Sequence, residues 1–346
     1  MTRQLKYVIL FRFMASLKRI ASDLGVSYTL VSKVLNDRLG TTGVSPKMRE
    51  AILSKAKELE YIPNRLAVAL KAGRRGAVGI FLHHFGESGS EVTDRLLRGC
   101  AEGLERSGYR MWLRFFKTDE EFLAACDDQL KREVDGLIVG GVQHESLIAK
   151  LHEMEQNLPI VSVFCDSSDR TRSMLHNVGA DYELQGFRAT THLLDQGCRM
   201  IATFPVVENR HKGYVRALSE RNVKLNPKLI VNARDFRLST GTVCAKELIG
   251  RDIPFDGIVC QSDSQAVGVI NELVHRGFQV PGAVKVIGVD DSPLAEACIV
   301  PITSITSGMT EAGQKAVELL LKKIAGEKVE SVLIQSEVVE RSSSRV

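Results

Sequence analysis

The chain has 346 residues, of which 44% are hydrophobic and 25% charged, and its formal net charge is +4. This length exceeds one ordinary domain of about 100–200 residues, and the composition excludes a disordered or fibrous chain. No apolar run reaches the roughly 18 residues of a membrane-spanning helix, and no cleavage site follows the apolar residues 7–11. The sequence therefore predicts a cytoplasmic protein without a membrane partner.

Basic residues are concentrated near the start of the chain. Residues 14–75 contain twelve Lys and Arg against five Asp and Glu, whereas residues 76–346 contain 31 basic and 37 acidic residues. A basic head on an acidic body favours a polyanionic partner at one end, although a merely solvated basic surface is the alternative. Residues 1–13 precede Met14, and we interpret them as an upstream false start or a disordered extension.

The seven cysteines are scattered, and none forms a C-x-x-C pair. This spacing indicates neither a disulfide framework nor a zinc site. Reduced thiols are the simpler expectation, and we expect neither a metal nor a cofactor.

Residues 14–62 predict helices only. The apolar residues of the first two helices recur at helical spacing: Leu17, Ile20, Ala21, Leu24, Val31, Val34 and Leu35. A helix-turn-helix needs a small residue at the helix crossing, a turn residue that tolerates positive φ, and a polar outer face. Ala21, Gly25 and residues 28–33 meet these needs. A three-helix bundle without a DNA role is the alternative.

From residue 76 onward, short apolar runs alternate with amphipathic stretches. The runs are 78–82, 109–115, 136–139, 160–164, 200–204, 257–260 and 284–289. This alternation predicts an α/β body of two doubly wound parallel-sheet subdomains.

Three stretches of the head closely resemble the LacI/GalR family of bacterial transcriptional regulators: residues 17–36, 44–50 and 59–67. The resemblance implies that Tyr28 and Thr29 read base edges in the major groove. It also implies a group of residues that hold phosphates or neighbouring bases, namely Ser27, Ser32, Lys33 and Asn36. Lys33 stands where many members carry Arg, which replaces bidentate recognition of guanine by a point charge, and the loop 39–43 is longer than usual.

By the same resemblance, Asn64 and Arg65 begin a hinge helix within residues 63–75. Ala67 and Leu70 share one helical face, and in a dimer two such faces could enter the minor groove and kink the duplex. A linker residue packed on the body is the alternative for Leu70. So short a helix should fold only with DNA and partner present.

Within the body, residues 76–346, four stretches also resemble that family and, through it, the periplasmic sugar-binding proteins: 78–80, 181–201 with Cys198 where His is usual, 260–291, and 301–305. We expect one subdomain over about 76–175 and 304–325, and a second over about 176–303 and 326–346. Ligands of open α/β sheets bind beyond the carboxyl ends of the strands, and this position predicts an effector cleft. Its expected lining residues at strand ends are His83, Phe85, Asp263 and Asp290, and by the same resemblance Arg210 matches the family arginine that reaches the ligand. For Asp263 an N-cap of the helix starting near Ser264 is the alternative, and for Arg210 an exposed arginine at a helix start.

We therefore expect a homodimeric regulator, more in keeping with a repressor than an activator. Its expected partners are a palindromic operator on double-stranded DNA and a small effector, a sugar by family frequency or else a purine-like ligand. An enzyme is not favoured, because a P-loop, a G-x-S-x-G elbow and an H-E-x-x-H motif are absent. A free-standing sugar-binding protein would lack the basic head, and a structural DNA-bending protein would not need the body.

Overall fold

The computed structural model describes residues 17–35, 39, 43–61, 74–83, 91–142, 144–164 and 175–345. The chain forms two compact units, Met1–Arg74 and Arg75–Val346. Among the described helices, none is both long and apolar enough to cross a bilayer.

The first unit contains the three expected helices, α1 (Leu17–Asp23), α2 (Tyr28–Leu35) and α3 (Pro46–Glu58). Ile20, Val31 and Ile52, one from each helix, are fully buried and form the centre of its core. Gly25 has φ 63° in the turn between α1 and α2, a conformation that glycine adopts without steric cost. The helix-turn-helix pattern predicted from Ala21 and Gly25 is thus present.

The second unit alternates strands and helices, as the sequence predicts. In chain order these are β1 (Ala77–His83), α4 (Glu91–Ser107), β2 (Arg110–Phe116), α5 (Asp119–Ala125), α6 (Leu130–Glu133), β3 (Gly136–Gly140), α7 (Glu145–Glu155), β4 (Ile160–Val163), β5 (Asn177–Ala180), α8 (Tyr182–Asp195), β6 (Ile201–Thr203), α9 (Glu208–Glu220), α10 (Leu238–Gly250), β7 (Gly257–Val259), α11 (Asp263–His275), β8 (Lys285–Asp290), α12 (Pro293–Ala297), β9 (Thr303–Thr306), α13 (Met309–Ile324), β10 (Val332–Ile334) and β11 (Val338–Val339). A short 3₁₀ turn, Pro227–Leu229, lies between α9 and α10.

These strands form two sheets, one in each subdomain. The first sheet has the order β10-β5-β4-β3-β1-β2 and is parallel throughout. The second has the order β11-β9-β8-β7-β6, with only the β11–β9 pair antiparallel. Each sheet has a buried apolar cluster on both faces. In the first subdomain α4 and α13 cover one face and α5 to α7 the other. In the second subdomain α8 and α9 cover one face and α10 to α12 the other.

The borders of the subdomains differ from those expected. β5 (177–180) and β10 (332–334) belong to the first sheet, although both were expected in the second subdomain. β9 (303–306) pairs with β8 and so lies in the second sheet, although residues from 304 were expected in the first. β5 and β10 are too short to produce an apolar run, and β5 contains Asn177 and Gly179, so pairing across the fold decides their place.

Candidate DNA-binding and ligand-binding sites

The outer face of α2 is the candidate DNA-reading surface. Tyr28 is 46% exposed and Thr29 is exposed, while Val31 and Val34 anchor the opposite face in the core. The Ser27 hydroxyl accepts a hydrogen bond from the Leu30 amide at 3.1 Å and so caps the start of the helix. The structure therefore presents an aromatic and a hydroxyl side chain at the N-terminal turn, the part of a recognition helix that contacts bases.

The remaining predicted DNA contacts divide into two groups. Ser32 and Lys33 are half-buried. The others lie outside the described residues: Asn36, Asn64, Arg65, Ala67 and Leu70.

Three predicted ligand residues of the second subdomain follow neighbouring strands. Arg210 lies in the helix after β6, Asp263 begins the helix after β7, and Asp290 ends β8. Because β6, β7 and β8 are adjacent and parallel, their carboxyl ends meet at one edge of the sheet. The structure thus brings these three residues to the edge where ligands of open α/β sheets bind.

Arg210 is held in place by its neighbours. Its Nε donates to Gln185 Oε1 at 3.0 Å, and its Nη1 donates to the Gln261 carbonyl at 2.8 Å. The guanidinium also lies over the ring of Tyr182, 5.0 Å from its centroid. With 7% exposure, this side chain is a buried, oriented cation, which differs from the exposed arginine that was the alternative.

The buried Asp263 carboxylate binds two other segments of the subdomain and does not cap its own helix. Its Oδ1 accepts from the Ser304 hydroxyl at 2.5 Å, and its Oδ2 accepts from the Ser292 amide at 2.7 Å. The cap of α11 is Ser262, whose hydroxyl accepts from the Gln265 amide, so the capping alternative is wrong. Burial raises the pKa of Asp263 to about 6, against the opposing effect of the Ser292 and Ser304 donors.

Asp290 lies at a sharp bend that we call the acidic elbow, Asp290–Ser292. Asp290 has φ 114° and Asp291 has φ 49°; such conformations cost on the order of 1–3 kcal/mol each in residues other than glycine. The elbow is fixed by Ser304, whose hydroxyl accepts from the Asp291 amide at 3.0 Å, and by Arg341, which donates to Asp291 Oδ1 at 2.7 Å.

The carboxyl of Asp290 is electrostatically unusual. Burial raises its pKa to about 7, the nearby Arg210 and Arg95 guanidiniums oppose this shift, and the Asp263 and Glu91 carboxylates add to it. Perturbed carboxyl groups at the edge of a cleft are candidates for binding residues. The group can accept hydrogen bonds from a ligand when ionised and donate one when protonated.

The first subdomain contributes His83 in a different environment from that expected. His83 is 1% exposed and packs against Phe122, with its Nε2 at 2.6 Å from Asp119 Oδ1. His144 Nδ1 lies 2.6 Å from the other oxygen of Asp119. These hydrogen bonds hold the pKa of Asp119 below its usual value. Phe85 lies outside the described residues.

Sequence reasoning missed two residues that shape the cleft. Gln185 binds Arg210 and also donates to the Ser336 hydroxyl at 2.9 Å, in the segment that crosses from β10 to β11. Arg95 of α4 reaches the acidic elbow from the first subdomain. Gln185 stands in a stretch that resembled the family, whereas Arg95 is a charged residue of an amphipathic helix and carries no signal of a contact about 195 residues away in sequence.

Comparison with known proteins gives matches in both units. Residues 16–64 match the model of bacterial regulatory proteins of the lacI family, and residues 190–344 match a periplasmic binding protein-like domain. The transcriptional regulator RegA of Clostridium saccharobutylicum is 26% identical, over 95% of this chain and 99% of that protein. The transcriptional repressor PurR of Mannheimia succiniciproducens is 28% identical, over 95% and 98%.

Solved structures agree with this similarity. The transcriptional regulator CelR in complex with cellobiose is 25% identical, with a TM-score of 0.69 over 95% of this chain and 99% of that one. A lac repressor dimer bound to operator and the anti-inducer ONPF has a TM-score of 0.80 at 20% identity, over 96% and 99%. The latter likeness shows the fold.

Proposed function

Because the chain belongs to the LacI family of bacterial regulatory proteins, we propose that it is a sequence-specific transcriptional repressor whose operator affinity depends on a small effector. The observation that carries the proposal is the exposed Tyr28–Thr29 turn of α2, joined in one chain to an α/β body with a buried cation and a perturbed carboxyl at its strand ends. Operator DNA as the partner supports a cytoplasmic location. The free-standing binding protein is not favoured, since it would not need a DNA-reading head.

We propose that the effector is a sugar. Arg210 and Asp290 supply a donor and an acceptor for hydroxyl groups, and Tyr182 and the 40% exposed Phe236 lie within cation–π distance of Arg210. Aromatic rings beside a few oriented polar groups are the usual lining of small-ligand sites. A purine-like ligand is the second candidate, because a ring could stack where a sugar face would lie.

The protein is proposed to act as a homodimer. Large apolar side chains are exposed on or beside three helices of the second subdomain, α10, α11 and α12: Leu238, Val243, Val274, Leu294 and Ile299. These helices lie side by side, since α11 packs against both others. Apolar patches of this kind mark interfaces, and a two-fold dimer would match a palindromic operator.

The test is selection of bound duplexes from random DNA by the full chain at fixed salt, because affinity depends steeply on salt. A palindromic site supports the proposal. A second selection with cellobiose present separates a ligand requirement from a lack of sequence reading. Uniform binding in both selections, with equal affinity for random and selected duplexes, would refute sequence-specific repression.

A further inference from the structure

Arg95 of α4 contacts the acidic elbow from the first subdomain. Its Nη1 donates to the Asp290 carbonyl at 3.0 Å and to the Asp291 carbonyl at 2.7 Å. These are the two carbonyls of the consecutive residues with positive φ. The contact therefore joins the two subdomains at the strained backbone that ends β8.

Electrostatics independently indicate that the first turns of α4 face this elbow. Glu91 and Arg95 are one helical turn apart and so share a face of α4. The charges of both act on the Asp290 carboxyl, in opposite directions. The face of α4 opposite them packs in the first core through Leu96 and Cys100.

The elbow is also connected to the segment that crosses between the subdomains. The Ser304 hydroxyl accepts from the Asp291 amide, and the Ser307 hydroxyl donates to the Asp290 carbonyl at 3.2 Å. Ser307 precedes α13, and α13 packs closely on α4, where Gly99 and Gly313 each face backbone of the other helix. Elbow, crossing segment and α4 therefore form one connected set of contacts.

We propose that Arg95 is a clasp that holds the two subdomains together across the cleft and transmits the state of the Asp290 carboxyl to α4. This rests on the proposed function in one respect, namely that Asp290 is the effector contact. The Asp290 and Asp291 carbonyls share one donor nitrogen of Arg95, so a ligand that shifts the Asp290 side chain shifts both carbonyls together. Such a shift either pulls Arg95, and with it α4 of the first subdomain, or breaks its two hydrogen bonds.

The test compares Arg95→Gln with Arg98→Gln in the full chain. Arg98 lies on the same helix and is exposed, with an exposed partner, Asp94. Hydrogen exchange of the Asp291 and Ser292 amides is expected to be at least tenfold faster in Arg95→Gln and unchanged in Arg98→Gln. Arg95→Lys keeps a donating cation and is expected to restore most of the protection.

The second readout is affinity for the duplex selected by the wild type. Arg95→Gln is expected to change it at least fivefold, at an unchanged melting temperature of the DNA-binding unit, while Arg98→Gln stays within twofold. Unchanged exchange in Arg95→Gln would overturn the clasp, and faster exchange with unaltered operator affinity would overturn the transmission. If the wild type selects no duplex either with or without cellobiose, the proposed function fails, whereas the exchange experiment still decides whether Arg95 holds the elbow.

Discussion

Gly186 in α8 and Gly213 in α9 face each other's helices so closely that neither position has room for a side chain. A Cβ on Gly186 would overlap the carbonyl of Arg210, and a Cβ on Gly213 would overlap the carbonyl of Glu183. The same reciprocal arrangement joins α4 to α13 and α10 to α11, through Gly99 with Gly313 and Gly241 with Gly268. At the first pair, the close contact holds the Arg210 backbone against α8, next to Gln185.

Gly186→Ala is expected to destabilise the second unit by about 3 kcal/mol, toward the upper end of the cost of overpacking, because the clash is with backbone. Urea denaturation measures the change. Gly250→Ala is the control, since Gly250 ends α10 with open space around it, and alanine there is expected to be neutral or slightly stabilising. Equal stability of the two variants would contradict the close-packing argument.

Tyr28→Ala and Lys33→Ala are expected to affect DNA binding differently. Loss of the exposed Tyr28 ring should reduce discrimination between the selected and a random duplex by about 1 kcal/mol or more, the cost of a mismatched base pair. Loss of Lys33 should weaken binding to both duplexes and lower the salt slope by about 0.9. Titrations at several salt concentrations measure both quantities, and undiminished discrimination in Tyr28→Ala would remove it as a base reader.

Asp290→Asn is expected to stabilise the protein more at pH 8 than at pH 5. The folded-state pKa of Asp290 is raised to about 7 from 3.8, so its contribution to stability is present at low pH and is lost as pH rises between these values. Asparagine tolerates positive φ, which preserves the elbow, and the gain at pH 8 should be about 1 kcal/mol or more. Asp252→Asn, at an exposed position with φ 50°, is the control for replacing an aspartate by asparagine at a positive-φ position.

His192 is expected to produce the opposite trend. Burial lowers its pKa below 6.5, so the unfolded chain takes up the proton first and stability falls as pH drops through 6.5. Its Nε2 lies 2.8 Å from the Ser344 hydroxyl, which bonds Thr303 Oγ1 at 2.7 Å. His192→Gln keeps a donor there and should lose less stability than wild type between pH 7 and pH 5 in thermal denaturation. The exposed His275→Gln should behave as wild type.

Ile299→Asp is expected to shift the protein from dimer to monomer. Ile299 is 77% exposed, and a carboxylate in an apolar interface would be desolvated without a partner. Analytical ultracentrifugation measures the dissociation constant, which should rise at least a hundredfold. Leu123→Asp, at a 36% exposed position of the first subdomain, should leave the dimer intact; a wild-type monomer at all concentrations would contradict the dimer itself.

Local patterns were sufficient to predict the architecture. The helical periodicity through Ile20 and Val31 identifies the helices of the head, and the alternation of apolar runs with amphipathic stretches identifies the strands and helices of the body. Both patterns can be recognised within a short window of sequence. Position after a strand was also sufficient to predict that Asp263 and Asp290 lie at one edge of a sheet, whereas Arg210 was predicted from the family resemblance.

What the sequence could not predict depends on long-range partners. Asp263 looked like a ligand residue, yet Ser304, which occupies one of its oxygens, lies 41 positions away in sequence. His83 ends β1, and its side chain contacts Asp119, 36 positions away. The short strands β5 and β10 gave no apolar run, because their places are determined by the strands beside them.

Both sheets are completed by late segments of the chain, with β10 (332–334) closing one edge of the first and β9 and β11 (303–306 and 338–339) completing the second. During synthesis at about 5–20 residues per second, the three helices of the head leave the ribosome long before either sheet has all its strands. The head can therefore fold, and meet DNA, while the body is still incomplete. A ribosome that stalls before residue 332 would carry a folded DNA-reading head without the sensor that governs it.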